Sequence, residues 1–166
     1  MGRCSEHSAG NSQHLSDWYS FTHVVHGFLL YALFFLVDRR RKLPFGARLV
    51  LAVGLEAFWE VLENTPFIIE RYRAATVSLD YYGDSIVNSL SDTMFMIAGF
   101  VLARFLPVPA VVAIAVALEL FVGWSIHDNL TLNLIMLIHP FDAIKARQTA
   151  ASSIDHPISA LAIPPR

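Results

Sequence analysis

The chain has 166 residues, 55% of them hydrophobic and 16% charged, with a net charge of −2 and a mean hydropathy of +0.49. Soluble domains carry roughly 25% charged residues, so an ordinary water-coated surface is hard to build from this composition. The basic residues form no stripe that would follow a phosphate backbone, which sets nucleic acid aside as a partner, and Cys4, the single cysteine, leaves no internal disulfide and no thiolate metal site.

Residues 1–17 form a polar N-terminal segment without the apolar centre of a signal peptide. Four apolar stretches follow: Trp18–Val37, Pro44–Asn64, about Asp84 to Leu106, and Pro109–Ile126. Each is close to the ~20 helical residues that cross ~30 Å of hydrocarbon. Leu130–Ile138 is apolar but too short to span, and reads as a re-entrant or interfacial helix or as a continuation of the fourth span. A soluble bundle is the competing reading, but little polar sequence remains to coat one. The expected fold is therefore an all-α transmembrane bundle of about four spans over residues 18–148, embedded in a lipid bilayer, with residues 149–166 as a flexible tail. The whole stretch from His139 onward mixes amphipathic residues with proline and is expected on the surface or disordered.

The loop Asp38–Lys42, "DRRRK", carries four basic residues and is expected on the cytoplasmic side. The N-terminal segment, the loop Pro66–Asp84 and the end of the fourth span then lie outside. Trp18, Tyr19, Tyr81, Tyr82 and Trp124 fall near that outer boundary, where an aromatic belt belongs. Asp84 is placed to cap the third span or to serve as a first-turn acid.

Against this apolar background the polar residues are informative. Glu56, Glu60 and Glu63 are spaced four and three apart, His23 and His26 three apart, and Asp84, Asn88 and Asp92 four apart, so each set keeps to one helical face. At 1.5 Å per residue from the outer ends, His23, Glu60 and Asn88 lie about 6–7 Å deep and His26, Glu56 and Asp92 about 12 Å deep, with Glu119 between. The inner halves of the helices show no such concentration. Intramembrane ionisable residues mark functional sites by default. The alternative is that they only hold helices together, a task more often given to Ser, Thr, Asn and Gln. Glu63, Asp84 and Asp128 are shallow and read as solvated rim residues or caps. Asn129 and Asn133 share an i, i+4 face on the short segment.

The stretches "NSQHLSDWYSFTHVVHGFLLY", "EAFWEVLENTPFIIERYR", "YYGDSIVNSLSDTMFMIAGF" and "DNLTLNLIMLIHPFDAIKARQ" resemble a conserved family of bacterial inner-membrane proteins of unknown function, from about Asn11 to Gln148. The resemblance implies a multi-pass protein of the bacterial inner membrane and supplies no reaction. It also implies a further apolar span ahead of Asn11, for which this chain starts too late, and a basic residue where His127 stands, which argues against His127 as a ligand. A weaker likeness is to VanZ-like membrane proteins, which share an early histidine, a glutamate-rich helix and an Asp-x-x-x-Asn pair, here Asp84 and Asn88.

Three functions follow from an outward-facing pocket of this kind. In an enzyme acting on a lipid headgroup or envelope substrate, Glu56 or Glu60 would be the general base, His23 or His26 the acid, and Asp92 a further member of the catalytic set. Asn88, Asp84, Glu119 and Asn129 would contact substrate. A divalent metal, Zn, Mn or Fe, would sit on His23, His26 and Glu56, although no H-E-x-x-H pattern is present. The second function is non-enzymatic: binding of a ligand, lipid or partner, or proton relay. Four spans without an inverted repeat are few for transport, a count that a homodimer would change. The third is a structural subunit.

Overall fold

The computed structural model describes residues 17–75 and 82–155. Among them are seven helices and no strand: α1 (Ser20–Val37), α2 (Phe45–Glu63), α3 (Pro66–Ala75), α4 (Ile86–Phe105), α5 (Val108–Ile126), α6 (Leu130–Ile138) and α7 (Asp142–Asp155). The all-α architecture is as expected, and the four long stretches and the short apolar one become helices at nearly the anticipated bounds. Three of them, α1, α4 and α5, are long and apolar enough to cross a membrane. The expected fourth span, α2, has a similar length of 19 residues. It falls short because Arg48, Glu56, Glu60 and Glu63 all lie on it.

Two helices were not anticipated. The loop expected at 66–84 begins as α3, with Pro66 as its first residue behind Thr65. Proline at that position lacks only an N–H that the helix could not use, and the Thr65 carbonyl receives the Ile69 N–H at 3.0 Å. The segment after His139 restarts as α7 with Asp142 in its first turn, and it runs through position 149 to Asp155. The remainder of the expected tail, and residues 1–16 of the polar N-terminal segment, lie outside the described residues.

Helix α1 is the hub. It packs most extensively on α4 and also touches α5 and α2. Gly27 and Gly99 make the close approach to α4 feasible. A Cβ on Gly27 would run into the backbone of Met96 and Phe100, and one on Gly99 into the Val24 carbonyl. Small residues at such a crossing are the usual device where lipid removes the hydrophobic drive for helix association. Below the crossing lies a dry core of Ala52, Met96 and Phe100, with Tyr31 and Phe45 against the Phe100 ring at 5.2 and 5.7 Å. Leu29, Val50, Phe58, Leu90, Met94, Val116 and Leu120 point outward and exposed, as a lipid-facing surface requires.

The α1–α2 turn is closed by Asp38. Its carboxylate accepts the N–H groups of Lys42 and Leu43 at 2.9 and 3.0 Å, and the Leu43 N–H above all holds its carboxyl below the ordinary range. At the other end, α3, α6 and α7 are tied to one another. Arg71 donates to the carbonyls of Leu137 and Ile138 at the end of α6, and Lys145 donates to the Ala74 carbonyl at the end of α3. Cations belong at such helix termini. Tyr72 bridges Glu63 and Asn133 at 3.3 and 2.9 Å. Burial first, then Glu63, drives its phenol pKa upward, so Tyr72 stays a neutral donor.

Candidate functional site

His23 and His26 lie near the start of α1, Glu56 and Glu60 in the last half of α2, and Asn88 and Asp92 near the start of α4. Antiparallel neighbours bring these segments to one end of the bundle, away from Asp38–Lys42. The i, i+3 and i, i+4 spacings turn each pair toward its partners.

His23 is at the centre. Its Nδ1 lies 2.6 Å from Glu56 Oε1 and 3.7 Å from Glu60 Oε1, and its Nε2 lies 3.8 Å from Asp92 Oδ2. His26 Nδ1 lies 3.3 Å from both Glu56 oxygens, and the two imidazoles meet edge to face at 4.7 Å. The Asp92 carboxylate accepts a hydrogen bond from the Ser20 hydroxyl at 2.7 Å and from the Asn88 amide at 2.6 Å. His23, Glu56, Glu60, Asn88 and Asp92 are all buried.

The expected two layers are not how these groups pair. His23 reaches down to Glu56 rather than across to Glu60 as its nearest partner, so the six polar residues form one cluster around His23. The anticipated metal trio, His23, His26 and Glu56, does come together, and so does a second group, His23, Glu60 and Asp92. Two buried oxygens in the cluster, Glu60 Oε1 and Asn88 Oδ1, accept no hydrogen bond from the described residues.

The other anticipated substrate contacts lie elsewhere. Glu119 turns to the start of α6, where its Oε2 accepts from the Thr131 N–H and hydroxyl at 3.0 and 2.6 Å. Asn129 caps the same helix, accepting the Leu132 N–H at 2.8 Å. Unsatisfied N–H groups at a helix start attract such oxygens, and this accounts for both residues. Asp84 precedes α4, but the cap is Ser85, whose side chain accepts the Asn88 N–H. The Asp84 N–H donates to Asn64 Oδ1 at 2.6 Å, which holds the α3–α4 link beside Gly83 at φ +98. Asp128, anticipated as a rim residue, is buried and accepts from the Tyr19 hydroxyl at 2.9 Å. That burial pushes its carboxyl pKa up. Of the expected aromatic belt, Trp18, Tyr82 and Trp124 are exposed, Tyr19 is engaged with Asp128, and Tyr81 lies outside the described residues. Ser20 is the cluster member the sequence reading missed; it stands three residues before His23 on the same face, which is the signal that could have found it.

The fold and the cluster together define a helical protein of membrane-spanning character with a buried histidine–carboxylate centre. Residues 3–150 match the family described as "Protein of unknown function (DUF2585)", and the chain belongs to that family. It is 60% identical to the UPF0314 protein R03235 of Rhizobium meliloti (strain 1021) over 141 residues, covering 85% of this chain and 71% of the relative. Identity to the UPF0314 protein NGR_c32320 of Sinorhizobium fredii is 58% with the same coverage. Identity to a UPF0314 protein of Paracoccus denitrificans is 51% over 86% of this chain and 73% of the relative. The likeness to VanZ-like proteins finds no support in these matches. No solved structure matches the chain.

Proposed function

We propose that this is a multi-pass protein of the bacterial inner membrane, one membrane domain over residues 18–148, whose His23-centred cluster is a chemical site open toward the outer face. In this reading it acts on a lipid headgroup or another envelope substrate. The observation that carries the reading is that one buried imidazole lies within 3.8 Å of Glu56, Glu60 and Asp92, drawn from two other helices. Gathering so many ionisable groups in an apolar bundle is costly, and chemistry is the usual reason to retain them. The His23–Glu56 pair is built to share and move a proton at Nδ1, with His26 beside the same carboxylate. Asp92 faces Nε2 on the other side of the ring, and Glu60 stands 3.7 Å from Nδ1 beside Glu56; a reacting group would be held between these carboxylates.

A second reading is favoured by Ser20, whose hydroxyl donates to Asp92 and so joins α1 to α4, while Asn88 braces the same carboxylate from within α4. In that reading the cluster is a structural joint in an accessory subunit. Lipid profiles separate the two. A strain lacking the protein should show an altered headgroup composition that wild type restores and Glu56→Gln, present at wild-type level in the membrane, does not. An unchanged profile in the deletion strain, or full restoration by Glu56→Gln, would sink the enzymatic reading.

A further inference from the structure

We infer that the cluster is a divalent cation site built on Glu60, Asp92, Asn88 and His23 Nε2, not on the His23–His26–Glu56 trio that the sequence suggests. The inference deepens the proposed function and rests on its reading of the cluster as a chemical site.

Three observations carry it. The first is a pair of vacant acceptors. Glu60 Oε1 and Asn88 Oδ1 receive no hydrogen bond from the described residues, although Glu60 is 6% and Asn88 0% exposed. An acceptor left unsatisfied in a buried place is costly. The Asn88 amide orientation is fixed because its NH2 donates to Asp92 Oδ2, so the orphan atom is the oxygen.

The second is how the histidine is oriented. Glu56 takes the Nδ1 side of His23 at 2.6 Å, which leaves Nε2 facing Asp92 Oδ2 at 3.8 Å. A carboxylate behind one ring nitrogen with the other nitrogen turned to a metal is the standard arrangement for a metal-binding imidazole. Two donors each about 2.1 Å from one cation stand no more than about 4.2 Å apart, so 3.8 Å suits a shared ion and is too long for a hydrogen bond. One donor atom each from His23, Glu60 and Asp92 lies within 4.8 Å of the others. Glu60 Oε1 stands 3.7 Å from Nδ1 and breaks no hydrogen bond with the described residues in turning toward the Nε2 side. In the other trio, Glu56 already serves both imidazoles at Nδ1, which occupies its oxygens.

The third is charge. Among the described residues, Glu56, Glu60 and Asp92 form ion pairs with His23 and His26 alone, and Arg48 is engaged with Asp38 at 3.8 Å. A divalent cation supplies the positive charge the site lacks. Two carboxylates, an amide oxygen and one imidazole make an oxygen-rich set that favours Mn2+ over softer ions.

The test is a Mn2+ titration of the full chain, purified in mild detergent and stripped with EDTA, followed by electron paramagnetic resonance. Wild type should bind one Mn2+ per chain with coupling to a single imidazole nitrogen. Glu56→Gln should weaken binding by roughly 10–100-fold, as loss of an orienting partner does. Asp92→Asn and Glu60→Gln should weaken it more, and His26→Ala should leave it unchanged. If Asp92→Asn fails to fold, Glu60→Gln decides. A folded wild type that binds no Mn2+ overturns the proposal, as does equal binding by every variant. Loss in His26→Ala with retention in Asp92→Asn would place the ion on the other trio and also overturn it. The lipid profiles fail separately: bound metal with no profile change leaves a cation site without that substrate, and a profile change without metal leaves the site without a cation.

Discussion

The two halves of the α1–α4 contact are held by different means. At one end Ser20 and His23 of α1 meet Asp92 of α4 through charged and polar groups, and Asn88 holds the same carboxylate from within α4. Two turns further on, Gly27 and Gly99 let the backbones touch, and Met96 and Phe100 fill a dry core with Ala52. The glycine end is complete as it stands, with no buried polar group among the described residues there needing a partner. The polar end retains carboxylates in an apolar bundle and leaves two acceptors without a donor. A joint needs only the first kind of contact, so the second points to a site.

Five substitutions grade the comparison. The largest loss is expected at the glycine end. Gly27→Ala and Gly99→Ala each force a methyl group against backbone that cannot turn aside, and overpacking of this kind costs about 1–3 kcal/mol or more. Thermal unfolding in detergent should show a clear fall in midpoint for both. At the polar end, Asp92→Ala takes the acceptor from the Ser20 hydroxyl and the Asn88 amide. Its expected cost is about 1 kcal/mol for each of the two stranded donors, with loss of any Mn2+ binding. A smaller effect is expected outside both ends. Asn129→Ala removes the α6 cap at about 1 kcal/mol, read as faster amide exchange over Leu130–Ile138.

The smallest effect concerns pH. Burial raises the Asp128 pKa above its ordinary 3.8, so the folded state binds this proton more tightly than the unfolded one. Its contribution therefore favours folding at low pH and is lost as pH rises from about 3.8 through the raised value. Asp128→Asn should flatten that part of the stability profile, and an unchanged profile would remove Asp128 as its source.

Much of this was legible in the sequence. The runs of about 20 apolar residues gave the long helices, because length and hydropathy alone decide them. The polar spacings brought His23, His26, Glu56, Glu60, Asn88 and Asp92 together, since i, i+3 and i, i+4 residues share a face whatever the packing. Helices α3 and α7 were hidden because neither is apolar, although Thr65–Pro66 and Pro140–Asp142 are recognisable start signals. The partner of each polar group was not legible. Depth counted along separate helices says nothing of their relative shift, so His23 was matched with Glu60 when Glu56 is its closer partner. Glu119 was placed in the cluster because its demand for the α6 start depends on a helix that begins at Leu130. The glycine contact gave no sequence signal, because single glycines are common in membrane helices.

The most direct test of the polar end as a site is the thermal-unfolding midpoint of Glu60→Gln in EDTA, beside wild type and Gly99→Ala. If Glu60 is kept for chemistry, removing its charge from an apolar bundle costs no stability, and the midpoint should equal or exceed that of wild type. A fall as large as that of Gly99→Ala would mean that Glu60 holds the helices together, and would contradict the reading of this cluster as a functional site.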